Sequence, residues 1–335
     1  RRSGNDSAWR ETLEKFNELS QAGFQGVSSS YQGQGRYAEV VTDTNGGDAG
    51  EEDQKGPFTF AKPQLIHNQP NFATAIDIRN NGSNDILVGS PMKIYLEGVS
   101  ESQQDLPKTT KGFHALPSDF NNDHIQDLII SGNDTQYLQG NKDGSWSLKK
   151  VLPKAQKSVS ADVDHDGDLD LLLSGQTNTH LLANDGTGNF FDITDKAGIS
   201  SEKVFDQVIF SDFDNDRDID FFTLSNGSIE LYTNNRDGTF TDISKKTNLP
   251  FSGINYLLIE DINQDGFMDC IVLNDEKQLV HFTNRNGLKF TETQRLSDIN
   301  AHSLVSSDLD NDGDLDLWCI EDSGIKTIAW HAGSW

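Results

Sequence analysis

A nine-residue acidic loop recurs along this chain at a nearly constant interval. The clearest copy lies within ADVDHDGDLDLLLSG (161–175). There Asp162, Asp164, Asp166 and Asp170 occupy positions 1, 3, 5 and 9, Gly167 occupies position 6, and an apolar run (171–173) follows at once. The same frame begins at Asp212 (SDFDNDRDIDFFT), Asp261 (EDINQDGFMDCIV) and Asp308 (SDLDNDGDLDLWC), with weaker copies from Asp119 (SDFNNDHIQDLII) and Asp77 (IDIRNNGSNDILV). Successive starts lie 42, 43, 50, 49 and 47 residues apart. A fixed period in this range marks a repeat architecture and limits the fold more tightly than composition does.

The text between loops reads as short strands joined by tight turns. In the fourth repeat, QVIFSDF (207–213) alternates into the loop and IDFFTLS (219–225) follows it. Asn226-Gly227 then supplies the strongest short hairpin signal, SIELYTN (228–234) returns, and a second turn leads into TFTDIS (239–244). Four antiparallel strands at this period predict an all-β fold, a β-propeller with the acidic loop between the first and second strands of each blade. The apolar triplets after the loops (LLL, FFT, CIV, LWC, LII, ILV) suit second strands covered on both faces by neighbouring blades. Six motif-bearing blades follow from the spacing. Segment 56–65 (GPFTFAKPQL) reads as a fourth strand able to complete the last blade, and residues 24–55 leave a seventh blade open.

Packing several carboxylates into one bend is costly. Two unit charges about 5 Å apart repel by roughly 1 to 3 kcal/mol, depending on hydration. A hard cation with oxygen ligands relieves this, and alternate Asp residues with Gly at the bend are how a short loop offers such a shell to calcium. The expected ligands are Asp162, Asp164, Asp166, Asp168 and Asp170; Asp212, Asp214, Asp216, Asp218 and Asp220; Asp261, Asn263, Asp265, Phe267 and Asp269; and Asp308, Asp310, Asp312, Asp314 and Asp316. Position 7 (Asp168, Asp218, Phe267, Asp314) is expected to give its backbone carbonyl. Four Ca2+ sites follow, with a fifth to be tested at Asp119, Asn121, Asp123 and Asp127, where His124 stands at position 6. Arg217 at position 6 of the Asp212 loop costs about 1 kcal/mol if the backbone there is left-handed. The loop from Asp77 carries Arg79 where a ligand belongs, so no ion is expected and the guanidinium takes that role. An EF-hand is excluded: position 12, which needs a bidentate Glu, is Leu173, Thr223, Val272 or Cys319, and the flanks alternate as strands.

The D-x-D-x-D-G-x-x-D-L loop, followed by segments such as NDGTGNFFDITDKAGI (184–199) and NNRDGTFTDISKKTNL (234–249), resembles the FG-GAP/VCBS repeats of integrin α-subunit propellers. The second segment type is similar to repeats of the ASPIC/UnbV group. The resemblance covers roughly residues 57–335. It implies a calcium-bearing propeller outside the cytoplasm, secreted, cell-surface or periplasmic, used for adhesion or scaffolding.

Ahead of the repeats, SAWRETLEKFNELSQA (7–22) reads as a helix, with Asp6 or Ser7 to cap it and Trp9, Leu13 and Phe16 on one face. Residues 1–23 form a helical appendage and 24–56 an acidic Gly/Ser-rich linker in which 35–41 suits one strand. The chain starts at Arg1 without a Met, which leaves an upstream signal peptide or domain open. A formal charge of −26 argues against nucleic acid or an anionic membrane as partner. No apolar run is long enough to insert in a membrane. Cys270 and Cys319 fall on the same face of equivalent strands, so they are expected buried and unpaired.

No HExxH, G-x-S-x-G, P-loop or dinucleotide fingerprint occurs. The leading expectation is therefore a non-catalytic propeller that binds a protein partner. A lectin-like propeller is the second, with Trp146, Trp318, Trp330 and Trp335 as aromatics to inspect. A calcium-dependent polysaccharide lyase or hydrolase is the third.

Overall fold

A computed structural model of the protein describes residues 72–89, 92–96, 100–101, 112–132, 134–250, 252–285, 289–308, 313–322 and 324–329. The expected N-terminal helix, the strand at 35–41, the linker, the closing strand at 56–65, and Asp310, Asp312, Trp330 and Trp335 lie outside these residues.

The described chain forms six antiparallel sheets, each a meander in chain order. Blade 1 comprises Ala73–Ile76, Asp85–Val88, Lys93–Leu96 and Ser100–Glu101. Blade 2 comprises Gly112–Ser118, Asp127–Gly132, Thr135–Gly140 and Trp146–Leu152; blade 3, Lys157–Ala161, Asp170–Ser174, Thr179–Asn184 and Phe190–Asp192. Blade 4 has Gln207–Ser211, Asp220–Ser225, Ser228–Asn234 and Phe240–Asp242; blade 5, Ile254–Glu260, Asp269–Asn274, Leu279–Asn284 and Phe290–Leu296. Blade 6 shows Ala301–Ser307, Asp316–Glu321 and Gly324–Ile328. Consecutive blades touch through their first strands, as expected of a six-bladed propeller with those strands innermost. Asn226 and Gly227 both have positive φ (+50° and +73°), so the predicted hairpin turn of blade 4 forms.

The hydrophobic core is a set of layers between blades. Second strands alternate their side chains between two such layers, so both faces must be apolar. Phe221 packs in the layer shared with blade 3, and Phe222 and Leu224 in the layer shared with blade 5. Each such side chain contributes about 1.5 to 3 kcal/mol on burial. The strands Asp127–Gly132 and Asp170–Ser174 are buried at every residue, as the apolar triplets predict. Phe221 also stacks on Tyr232 with ring centroids 4.5 Å apart. Cys270 and Cys319 are buried and free, in different layers. No helix among the described residues is long and apolar enough to cross a membrane.

Candidate metal centre

The acidic loops join the first and second strands of their blades and, over the described residues, fold around their own carboxylates. The position-1 carboxylate accepts the N–H groups of positions 5 and 6. Asp212 accepts from Asp216 and Arg217 (3.1 and 3.0 Å), Asp261 from Asp265 and Gly266 (3.0 and 2.9 Å), and Asp119 from Asp123 and His124 (3.2 and 2.8 Å). Asp162 and Asp308 accept the N–H of Gly167 and Gly313, both at 3.1 Å. Position 5 accepts from position 7, at 3.0 Å in Asp166 and Asp216 and 2.9 Å in Asp265 and Asp123. Position 6 is left-handed throughout, with φ from +67° at His124 to +96° at Gly313. Arg217 accepts that strain at +76°. Many of these acids therefore hold the turn together without an ion. What distinguishes a cation site is the oxygen left over.

Position 9 opens the second strand, and the third strand decides what its carboxylate meets. Asp170, Asp220, Asp269 and Asp127 each accept a backbone N–H from the end of that strand: Asn184, Asn234, Asn284 and Gly140, at 2.8–2.9 Å. Three residues earlier the blades diverge. Blade 2 has Tyr137, whose hydroxyl donates to Asp127 Oδ2 (2.8 Å), and blade 5 has His281, whose Nε2 meets Asp269 Oδ2 (2.9 Å). In blade 1, Arg79 spans both oxygens of Asp85 at 3.2 and 2.8 Å, the role expected of it. Blades 3 and 4 have Leu181 and Leu231 there, whose side chains carry no donor. Among the described residues Asp220 Oδ2, at position 9, is buried with no hydrogen-bond partner, and so is Asp162 Oδ1, at position 1 of the blade 3 loop. In the same two loops the carboxylates converge. Asp212, Asp214, Asp216 and Asp220 each place an oxygen within 4.8 Å of the others, as do Asp162, Asp164 and Asp166. Asp170 Oδ2 accepts from the Val163 N–H (3.0 Å).

Two further sets of contacts tie the loops into the ring, and neither was read from the sequence. The side-chain amides of Asn184, Asn234 and Asn284 each donate to a loop carbonyl of the preceding blade, Phe120 (2.8 Å), Val163 (2.7 Å) and Phe213 (2.9 Å). Each also donates to its own loop at Leu169, Ile219 or Met268 (3.1–3.3 Å). The exact recurrence of Asn at 184, 234 and 284, before a D-G or N-G turn, was the available signal. The second set starts at position 4, also left-handed, and runs to the next loop. Asn122 donates to Asp168 (2.5 Å), His165 Nε2 meets Asp218 (3.0 Å), and Asn215 and Gln264 donate to the carbonyls of Gly266 and Gly313 (2.7 and 2.5 Å). Arg236 further pairs with the Asp218 carboxylate and donates to the Asp216 carbonyl. Asp314 accepts from Gln264 (3.2 Å), and Asp316 is buried at the start of its strand.

The FG-GAP-like repeat family matches three overlapping segments, 162–223, 212–272 and 261–319, each running from one acidic loop into the next. The chain is an FG-GAP-repeat propeller. Among solved structures it is similar to a lectin of Agrocybe aegerita described for specific recognition of non-reducing terminal N-acetylglucosamine (16% identity, 78% of this chain and 77% of that one, TM-score 0.54). It is also similar to BBS1N in complex with ARL6DN (12% identity, 76% of each chain, TM-score 0.51). At these identities the likeness is one of fold. No curated protein matches the sequence.

In this FG-GAP propeller burial raises acids in several loops, Asp127 to about 6 and Asp261 and Asp269 among them, and raises them furthest in these same two. Burial, reinforced by the neighbouring acids, pushes Asp220 up to about 8, Asp170 to about 7 and Asp214 to about 6. Desolvation also raises Asp162, Asp164 and Asp212. At about 4.8 Å and an effective dielectric near 20, each ionised pair repels by about 3 kcal/mol. A bound dication turns this repulsion into attraction. The donors are oxygens alone, which suits a hard ion such as Ca2+ and does not suit a thiolate- or imidazole-seeking metal.

Proposed function

We propose that this protein is a non-catalytic, calcium-stiffened propeller that works outside the cytoplasm as a scaffold for a protein partner. The observation that carries the calcium reading is the pair of buried, donorless carboxylate oxygens, Asp162 Oδ1 and Asp220 Oδ2, inside converging acid clusters. An orphaned buried acceptor costs about 1 to 3 kcal/mol, more when charged, and a cation removes that cost. The scaffold reading is supported by the FG-GAP repeats and by the propeller of BBS1N, solved in complex with ARL6DN. An acidic surface and interlinked loops offer a rigid face for docking, and calcium held only by the folded state stabilises it by mass action.

A second reading, glycan binding, is supported by the fold shared with the Agrocybe aegerita lectin and by an open cleft of about 480 Å3 in blade 5. The test of the leading reading is metal analysis of protein purified without chelator, followed by thermal melts with and without EDTA. Bound calcium and a melt lowered by several degrees in EDTA support it. An ion-free protein whose melt ignores both EDTA and added calcium overturns it.

A further inference from the structure

Blade 5 departs from its neighbours in a way the repeat frame does not require. His281 occupies the place of Leu181 and Leu231 and engages Asp269, so both oxygens of Asp269 are bonded. At position 7 it carries Phe267, where blades 3, 4 and 6 have Asp. Beside this altered loop lies the open cleft, built from blade 5 alone.

The cleft's chemistry is mixed in a specific way. Phe267 supplies a half-exposed aromatic wall, and His281 and Thr283 form a buried floor. The floor is pre-ordered: Thr283 Oγ1 lies 3.0 Å from Thr293 Oγ1, which is 3.2 Å from His281 Nδ1. Asn263 Oδ1 and Asp265 Oδ1 are used by backbone N–H groups at 2.9 Å, which leaves an amide donor and the second carboxylate oxygen toward solvent. Arg285, on the rim, forms no ion pair or hydrogen bond with the described residues although the chain carries a formal charge of −26.

We infer that this cleft is a saccharide-binding site that takes a neutral pyranose unit. The inference deepens the second reading above and rests on it. An acceptor-only carboxylate, a donor-only guanidinium, an amide and two hydroxyls together match a ring of hydroxyls, each of which donates and accepts. The aromatic wall suits the C–H face of such a ring. A nucleotide or polyanion meets repulsion from Asp265. The volume falls within the range of small-molecule sites, about 300 to 1,000 Å3.

The test is NMR or calorimetric titration of the full chain with a panel of neutral mono- and oligosaccharides, with uronic acids and free amino acids as separate arms. Saturable binding of a neutral saccharide is expected, weakened at least tenfold in Phe267→Ala and in Arg285→Ala. Metal content and melting temperature, measured on both variants, confirm that they fold and retain any calcium, so a loss is assigned to the cleft. Asn235→Ala, an exposed side chain on blade 4, serves as the control and leaves binding unchanged. Binding of amino acids or uronic acids in place of neutral sugars overturns the ligand class. No saccharide binding at millimolar concentration, or binding indifferent to Phe267→Ala, overturns the site. Neither result bears on the calcium reading, which the metal analysis tests separately.

Discussion

Replacing Asn234 by Ala tests whether the propeller is held together by amide bridges between loops of adjacent blades. The Asn234 side chain is 95% buried and donates to the Val163 carbonyl of blade 3 at 2.7 Å and to the Ile219 carbonyl of its own loop at 3.3 Å. Its Oδ1 accepts the Arg236 N–H at 3.0 Å. Truncation removes these bonds and leaves the Val163 and Ile219 carbonyls without their amide donor. With about 1 to 3 kcal/mol for each buried group left unsatisfied, and the Ile219 bond long and partly exposed, the expected loss is about 2 to 4 kcal/mol. Asn234→Asp should be at least as damaging, because it aims a carboxylate at two carbonyl oxygens. Equilibrium urea unfolding followed by circular dichroism reads the effect as a lower midpoint at unchanged slope. Asn184→Ala and Asn284→Ala repeat the experiment one blade either side, and comparable losses are expected. A shift below about 0.5 kcal/mol at all three positions would refute the bridge as a stabilising device, since ordinary surface changes fall in that range.

Other outcomes follow from the same contacts. Folded, ion-free Asp220 and Asp170 keep their protons to about pH 8 and 7, whereas the unfolded chain releases them near the ordinary Asp value of about 4. The unfolded state thus binds fewer protons between those limits, and stability in EDTA should fall as pH rises from about 4 to about 8. A melt in EDTA that is higher at pH 8 than at pH 5 contradicts this, and saturating calcium should abolish the decline. Gly140→Ala should cost about 1 to 3 kcal/mol, because the new Cβ would lie 2.4 Å from the Gln126 carbonyl oxygen and 2.8 Å from Ile125 Cγ2. Differential scanning calorimetry checks it. Both thiols should resist an aromatic disulfide reagent until urea unfolds the chain. Cys270 and Cys319 are buried, and desolvation pushes Cys319 up to about 11 and Cys270 well above an ordinary thiol.

What the sequence made legible was local and repeated. The apolar triplets located the doubly buried second strands, Asn226-Gly227 located its turn, and Arg79 declared itself the substitute cation of blade 1. Those signals sit within a few residues of the feature they specify. The sorting of the loops was not legible, because it depends on register. Whether the position-9 carboxylate meets a side-chain donor depends on a residue such as Leu231, eleven residues downstream of Asp220, and the frame alone does not distinguish Leu231 from Tyr137 or His281. The Asn bridges depend on neighbouring blades, with partners up to 71 residues apart. The position-4 links need a left-handed backbone that carries the side chain out of its own loop. The frame was therefore sufficient to find the fold, and only tertiary contacts separate the loops that retain an orphaned oxygen from those that satisfy it internally. The tryptophans show the same limit: Trp146 and Trp318 are tied by their indole N–H to Gln126 O and Ser307 Oγ, while the cleft uses Phe267.

The most direct measurement is a calorimetric calcium titration of the chelator-stripped protein alongside Asp162→Asn and Asp220→Asn. The parent chain should take up calcium saturably, and each variant should lose one binding step, at the loop that lost its carboxylate. Absence of calcium uptake by a folded parent chain, or two variants that titrate as the parent does, would contradict the calcium reading.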